Sequence, residues 1–122
     1  MIILVDFDGT IVKNAWPGIG RFKFGARRAL RWLGRRHYLI LWTCREGNKL
    51  NEAGWFLASN GIWFHRKNAN ATQRVREYGG DCRKLSGDLM IDDRAGFVWW
   101  PWIVAKVWVR DTLKAIRRGF RE

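Results

Sequence analysis

The chain has 122 residues, a length that supports one hydrophobic core and predicts a single domain. Hydrophobic residues make up 48%, yet no run approaches the ~18–20 apolar residues of a membrane span, so a transmembrane anchor is excluded and a soluble globular protein is expected. Lys and Arg number 23 against 11 Asp and Glu, and the resulting charge of +12 attracts phosphates, nucleic acid or anionic surfaces.

The charge is uneven, with nine Lys or Arg and no acid between Gly9 and Arg45. The N-terminus enters its first apolar run without a basic segment or a cleavage site, so no signal peptide is expected. Cys44 and Cys82 lie far apart without metal-ligand spacing and read as reduced thiols, which fits a cytoplasmic protein.

In chain order, Ile2–Asp6 reads as a strand apolar on both faces, followed by a loop over Gly9–Gly20 with Pro17-Gly18 as its turn signal. Phe22–Arg36 has helical spacing in Phe22, Ala26, Ala29, Leu30 and Leu33. Tyr38–Thr43 is a second strand, and Asn48–Asn60 a second helix with Gly61 just past its end. Ile62–Phe64 is expected as a short third strand, residues 68–80 as one short helix ending at Gly79-Gly80, and Leu89–Asp92 as a fourth strand. Pro101–Arg118 closes the chain as an amphipathic helix. Strands alternating with helices predict an α/β fold: a Rossmann-like parallel sheet with helices on both faces.

Five of the eleven acids fall in two strand-like segments, Asp6-Phe7-Asp8 and Asp88-Leu-Met-Ile-Asp92-Asp93. Buried strands deliver such side chains to their carboxyl ends, where open α/β sheets bind ligands, so the two segments suggest one hard-cation site with chemistry attached. Asp6-Phe7-Asp8-Gly9-Thr10 fails as an EF-hand start, because the twelfth position is Pro17 rather than Glu. Gly18-Ile-Gly20 fails as a dinucleotide fingerprint, since no strand precedes it. An aspartyl nucleophile remains: a carboxylate at Asp6 can attack phosphorus, and Asp8, two residues on, can protonate the leaving oxygen and later activate water. Asp88 lies four residues before Asp92, about 13 Å back along a strand, and so belongs to the opposite sheet edge with a structural role.

Asp-x-Asp-Gly-Thr after an apolar strand, Leu-Trp-Thr-x-Arg at 41–45 and Ile-Asp-Asp-Arg at 91–94 together resemble the haloacid dehalogenase superfamily of phosphotransferases, and within it the small bacterial and phage hydrolases. The resemblance covers about residues 1–105. It implies a Mg²⁺-dependent phosphatase with Asp6 as nucleophile and Asp8 as general acid/base, the Asp8 backbone carbonyl also meeting Mg²⁺. It further implies Asp92 as a metal ligand, with Asp93 as a further or water-mediated one. Thr43 would hold a phosphoryl oxygen, and Gly9, Thr10 and Arg45 would join it around the substrate phosphate. Taken alone, Thr43 could equally cap the following helix, and Arg45 and Arg94 could be solvated arginines. The lysine that neutralises the nucleophile and phosphoryl oxygens is assigned to Lys84, with Lys67 as the alternative. His37 and His65 read as helix- and strand-end residues.

The loop Ile11–Arg21 is long enough for a flap but not for a cap domain, so the resemblance is to the capless type, which acts on larger substrates or closes its site by oligomerisation. Trp16 is a candidate flap aromatic or a packed loop anchor. The last helix carries Lys106, Arg110, Lys114, Arg117 and Arg121 as a basic stripe beside apolar residues. It reads either as a docked helix with a solvated basic face or as a surface for nucleic acid or anionic membrane. The expected partners are thus a phosphorylated small molecule or a polyanionic substrate, with a phosphatase of nucleic acid ends and a non-catalytic binding module as the competing readings.

Overall fold

The computed structural model describes residues 1–80 and 85–121. Four strands, β1 (Ile2–Val5), β2 (Tyr38–Leu41), β3 (Arg66–Lys67) and β4 (Leu89–Ile91), form one sheet in the order β3-β2-β1-β4, with every neighbouring pair parallel. Between and after them lie α1 (Ala26–Arg36), α2 (Gly47–Ser59), α3 (Thr72–Tyr78), the single turn of 3₁₀-helix Asp93–Ala95, and α4 (Trp100–Arg121). The fold is α/β, and its parallel sheet is covered as the apolar strands require.

The order of strands dictates where the helices go. The chain steps from β1 to β2 to β3 in one direction, then returns across both to β4. A constant crossover hand therefore puts α1 and α2 on one face and α3 on the other. The core is divided in the same way. Ile3, Val5, Leu39, Leu41 and Ile91 pack with Ala29, Leu30 and Leu33 of α1, Ala53 and Leu57 of α2, and Trp100 and Val107 of α4. Ile2, Leu4 and Ile40 face a smaller cluster with Ala71 and the half-buried Leu85.

Several expected boundaries move, two of them for a plain local reason. The first helix begins at Ala26 rather than Phe22, because Phe22 bridges antiparallel to Val12 and the Lys23 amide donates to the Ile11 carbonyl. Gly25 then turns the chain at φ 75°, a conformation open to glycine, with no room to spare beside Pro101 and Trp100. The third strand is Arg66–Lys67, not Ile62–Phe64. Ile62 is captured by the end of α2, its amide donating to the Leu57 carbonyl, and Trp63 faces solvent. Pairing with β2 starts only where the His65 amide meets the Leu39 carbonyl, so the edge strand is short and polar, as exposed edges usually are. The last helix runs from Trp100 to Arg121, beyond the expected Pro101–Arg118 at both ends.

His37 and His65 are both structural. His37 accepts from the Met1 amino group at 2.9 Å and pairs through Nε2 with Asp111 of α4, also at 2.9 Å. His65 Nδ1 accepts from the Leu39 amide while its ring stacks on Tyr38. Cys44 is free and exposed. Among the described residues no helix is long and apolar enough to cross a membrane.

Trp100 joins α4 to the loop after β1. Its ring is buried, and its indole N–H donates to the Thr10 carbonyl at 3.0 Å. Trp100→Phe keeps most of the apolar volume but leaves that carbonyl unpaired in the interior. Urea denaturation should show a loss of about 1–3 kcal/mol with an unchanged m-value. A neutral result would mean that water reaches the carbonyl.

Candidate active site

Sheet register brings the two acidic segments together. Val5 of β1 is the partner of Ile91 in β4, and the Asp6 amide donates to the Ile91 carbonyl at 2.9 Å. Asp6 and Asp92, the next residue on each strand, therefore emerge side by side at the carboxyl edge. One carboxylate oxygen from each of Asp6, Asp92 and Asp93 lies within 4.8 Å of the others. Asp88 sits at the other edge, as its spacing requires: its carboxylate accepts from the Ile2 amide at 2.7 Å and faces Arg74 at 3.6 Å.

After Asp6 the chain curls back on itself, with the amides of Thr10, Ile11 and Val12 all pointing to the Phe7 carbonyl. This turn sets the Thr10 hydroxyl 3.0 Å from Asp6 and 3.1 Å from Asp93, while the hydroxyl oxygen accepts from the Asp93 amide at 2.9 Å. One hydroxyl proton serves two carboxylates, so Thr10 can donate to only one of them at a time. Gly9 at φ 84° is fixed by the same closeness: a Cβ there would stand 2.8 Å from an Asp93 carboxylate oxygen.

Burial raises the Asp6 pKa from 3.8 to about 6, and the negative charges of Asp92 and Asp93 push the same way, against the lowering hydrogen bond from Thr10. A cluster of hard oxygens whose charge is under-compensated in this manner could hold a metal ion.

The Asp8 side chain stands apart from this cluster. Arg45 grips it with both arms of the fork, Nε to Oδ2 and Nη2 to Oδ1, each at 2.8 Å. Nη2 also donates to the Gly18 carbonyl at 2.7 Å, and the guanidinium lies 5.0 Å from the Trp16 ring and 5.1 Å from the Phe7 ring. Arg45 is 1% exposed, so it is not a solvated arginine. Its hydrogen bonds to Asp8 keep it firmly protonated despite burial. Nη1 is the one nitrogen of the group without a partner.

Arg45 is itself aimed by a bracket of side chains. The Thr43 hydroxyl accepts from the Arg45 amide at 3.2 Å and keeps its own proton to donate. Asn68 accepts from the Thr43 amide at 2.8 Å and donates to the Arg45 carbonyl at 3.3 Å. Glu46, not Thr43, precedes α2 as its N-cap, so the helix-capping alternative for Thr43 does not hold.

The remaining expected residues divide. The Gly9 and Thr10 amides donate to the Val12 and Phe7 carbonyls, which leaves neither for a substrate phosphate. Arg94 is exposed, its amide donating to Asp92 Oδ1 at 3.0 Å. Lys67 Nζ rests against α2, where a Cβ on Gly54 would come within 2.9 Å of it. Lys84 lies outside the described residues. Among those described, no lysine pairs with Asp6, Asp92 or Asp93.

Asn68 is the functional-site residue that sequence reading missed. It is the one non-glycine with positive φ, at 51°, among the described residues, and asparagine tolerates that conformation better than most. Trp16, the candidate flap aromatic, is 57% exposed, and its ring lies 5.0 Å from the Arg45 guanidinium.

No family model matches the chain, and no curated protein matches it. A solved structure of a conserved protein from Bacteroides thetaiotaomicron is similar to it, with a TM-score of 0.80 and 39% sequence identity. The match covers 90% of this chain and 91% of that one. At that identity and coverage, the chain belongs to the family of this conserved Bacteroides protein.

Proposed function

We propose that the chain is a Mg²⁺-dependent phosphatase that works through an aspartyl-phosphate on Asp6. The observation that carries the reading is the convergence of Asp6, Asp92 and Asp93 oxygens within 4.8 Å beside a separately held Asp8. The sequence resemblance to haloacid dehalogenase phosphotransferases supports it independently. So does the retention of both Asp6 and Asp8, which a binding module has no reason to keep.

In the first step an Asp6 oxygen attacks phosphorus, the bond from phosphorus to the leaving oxygen breaks, and Asp8 passes a proton to that oxygen. In the second, Asp8 takes a proton from water as the water oxygen attacks phosphorus and the bond to Asp6 breaks, which releases phosphate. Asp6, Asp92 and Asp93, with the Asp8 backbone carbonyl that the resemblance implies, would hold Mg²⁺, which offsets the charge on Asp6 and the phosphoryl oxygens. The free Thr43 proton suits a phosphoryl oxygen.

The Arg45 clasp holds both Asp8 oxygens at 2.8 Å. For the first step one Asp8 oxygen must exchange Arg45 for a proton, and a bound phosphoryl group competes for the same guanidinium.

Asp6→Asn tests the nucleophile in two ways. An amide cannot form the acyl-phosphate, so turnover should vanish, and activity within about a hundredfold of wild type would remove the assignment. The same variant should also be more stable than wild type when free of metal. A carboxyl raised from 3.8 to about 6 binds its proton more tightly folded than unfolded, so its contribution is complete below pH 3.8 and is lost as pH rises through 6. The Tm of metal-free wild type should therefore fall relative to D6N across that window, and Mg²⁺ should restore it in wild type alone.

Metal dependence separates the two late acids. Asp92→Ala should raise the Mg²⁺ concentration needed for half-maximal activity by about tenfold or more. Asp88→Ala should lower Tm with little change in that concentration, because its carboxylate holds the Ile2 amide. Equal effects on Mg²⁺ would place both acids outside the assigned geometry. Arg45→Lys keeps the charge and loses the fork, and kcat/KM should fall roughly 10–100-fold in steady-state assays with little change in secondary structure. A panel of phosphorylated compounds, including oligonucleotides phosphorylated at either end, identifies the leaving group.

A further inference from the structure

The last helix has two apolar stripes, and the fold uses one. Trp100 and Val107 are buried and Ile103 and Val104 partly so, which fixes the docked side of α4. Trp102, Val109, Leu113, Ile116 and Phe120 are 60%, 48%, 51%, 49% and 88% exposed. At ~100° per residue these five fall within an arc of about 60° directly opposite the docked side. Lys106, Arg110, Lys114 and Arg117 run immediately beside them, and a groove of about 660 Å³ is lined by both sets.

A helix kept in water has no use for five large apolar side chains in a line, so the stripe has an occupant. Their steps of seven, four, three and four would suit a coiled coil with a second copy. Every charge along the seam has the same sign, however, and Asp111, the acid of α4 that could offset it, is engaged with His37. Two chains of +12 would set their cations side by side, which coiled coils avoid.

A nucleic acid would match the cations but leave Val109, Leu113 and Ile116, which cannot stack on bases, facing water. An anionic bilayer answers both halves: its lipid phosphates meet the Lys/Arg row while the aliphatic and aromatic row enters the headgroup–acyl boundary.

We infer that α4 is an interfacial anchor that docks this protein on an anionic lipid surface. The helix lies in the plane of the interface and does not cross it. The inference stands apart from the phosphatase reading, since none of the residues it rests on belongs to the acidic cluster and it is read without turnover.

Co-sedimentation of the full chain with vesicles tests it. An equimolar mixture of phosphatidylglycerol and phosphatidylcholine should bind the protein, phosphatidylcholine alone should not, and added salt should weaken the binding. Leu113→Asp with Ile116→Asp should lower the partition coefficient more than tenfold. Lys114→Gln and Arg117→Gln should each lower it about fivefold.

All four positions lie beyond Val107, the last buried residue of the helix among those described, and unchanged circular dichroism and Tm would confirm folding. Equal binding to both vesicle types would overturn the inference. So would full vesicle binding by the Asp double variant, oligonucleotide binding without vesicle binding, or a dimer in sedimentation equilibrium that Leu113→Asp dissociates.

Discussion

Like charges repel, and at the carboxyl edge of this sheet three carboxylates are held within 4.8 Å by a backbone that cannot let them part. Parallel pairing of β1 with β4 fixes Asp6 and Asp92 as neighbours, because Val5 and Ile91 share a register position. The turn after Asp6 exists in the form that this crowding allows. It brings one hydroxyl, from Thr10, between Asp6 and Asp93, and it needs glycine at position 9 so that Asp93 can approach. Trp100 then locks the turn from behind through the Thr10 carbonyl. The interior of the domain thus supplies the work needed to hold an unfavourable charge arrangement in place.

The electrostatics have two scales. At long range the chain carries +12 and draws in anions. At the edge itself four aspartates, Asp6, Asp8, Asp92 and Asp93, face one arginine, a local net charge of −3 if all are ionised, which repels the same anions at contact. The protein is thus positive as a whole and negative at this one edge.

Much of this was legible in the residue order. Apolar runs marked β1, β2 and β4, glycines at 61 and 79 marked helix ends, and the alternation gave the parallel α/β fold. Asp88 fell correctly at the far edge because strand rise alone separates it from Asp92. Reading failed where distant partners decide. Phe22 looks helical until Val12 pairs with it, and Ile62–Phe64 looks like a strand until the end of α2 claims Ile62. Arg45 and Asn68 carry no periodic signal, since their roles depend on three loops meeting. The C-terminal helix kept its period but hid a second apolar stripe, because composition does not reveal which of two faces a helix docks.

A guanidinium has a fixed set of donors in one rigid plane, and this has a consequence for the short loop, the candidate flap, that carries Gly18. The nitrogen that holds Gly18 of the flap also holds an oxygen of Asp8. Lifting the flap strains the grip on the carboxylate, and any competitor for the guanidinium at Asp8 loosens the flap. The position of this loop and the placement of the Asp8 carboxylate are therefore one variable rather than two, coupled through a single planar group instead of through the motion of a domain.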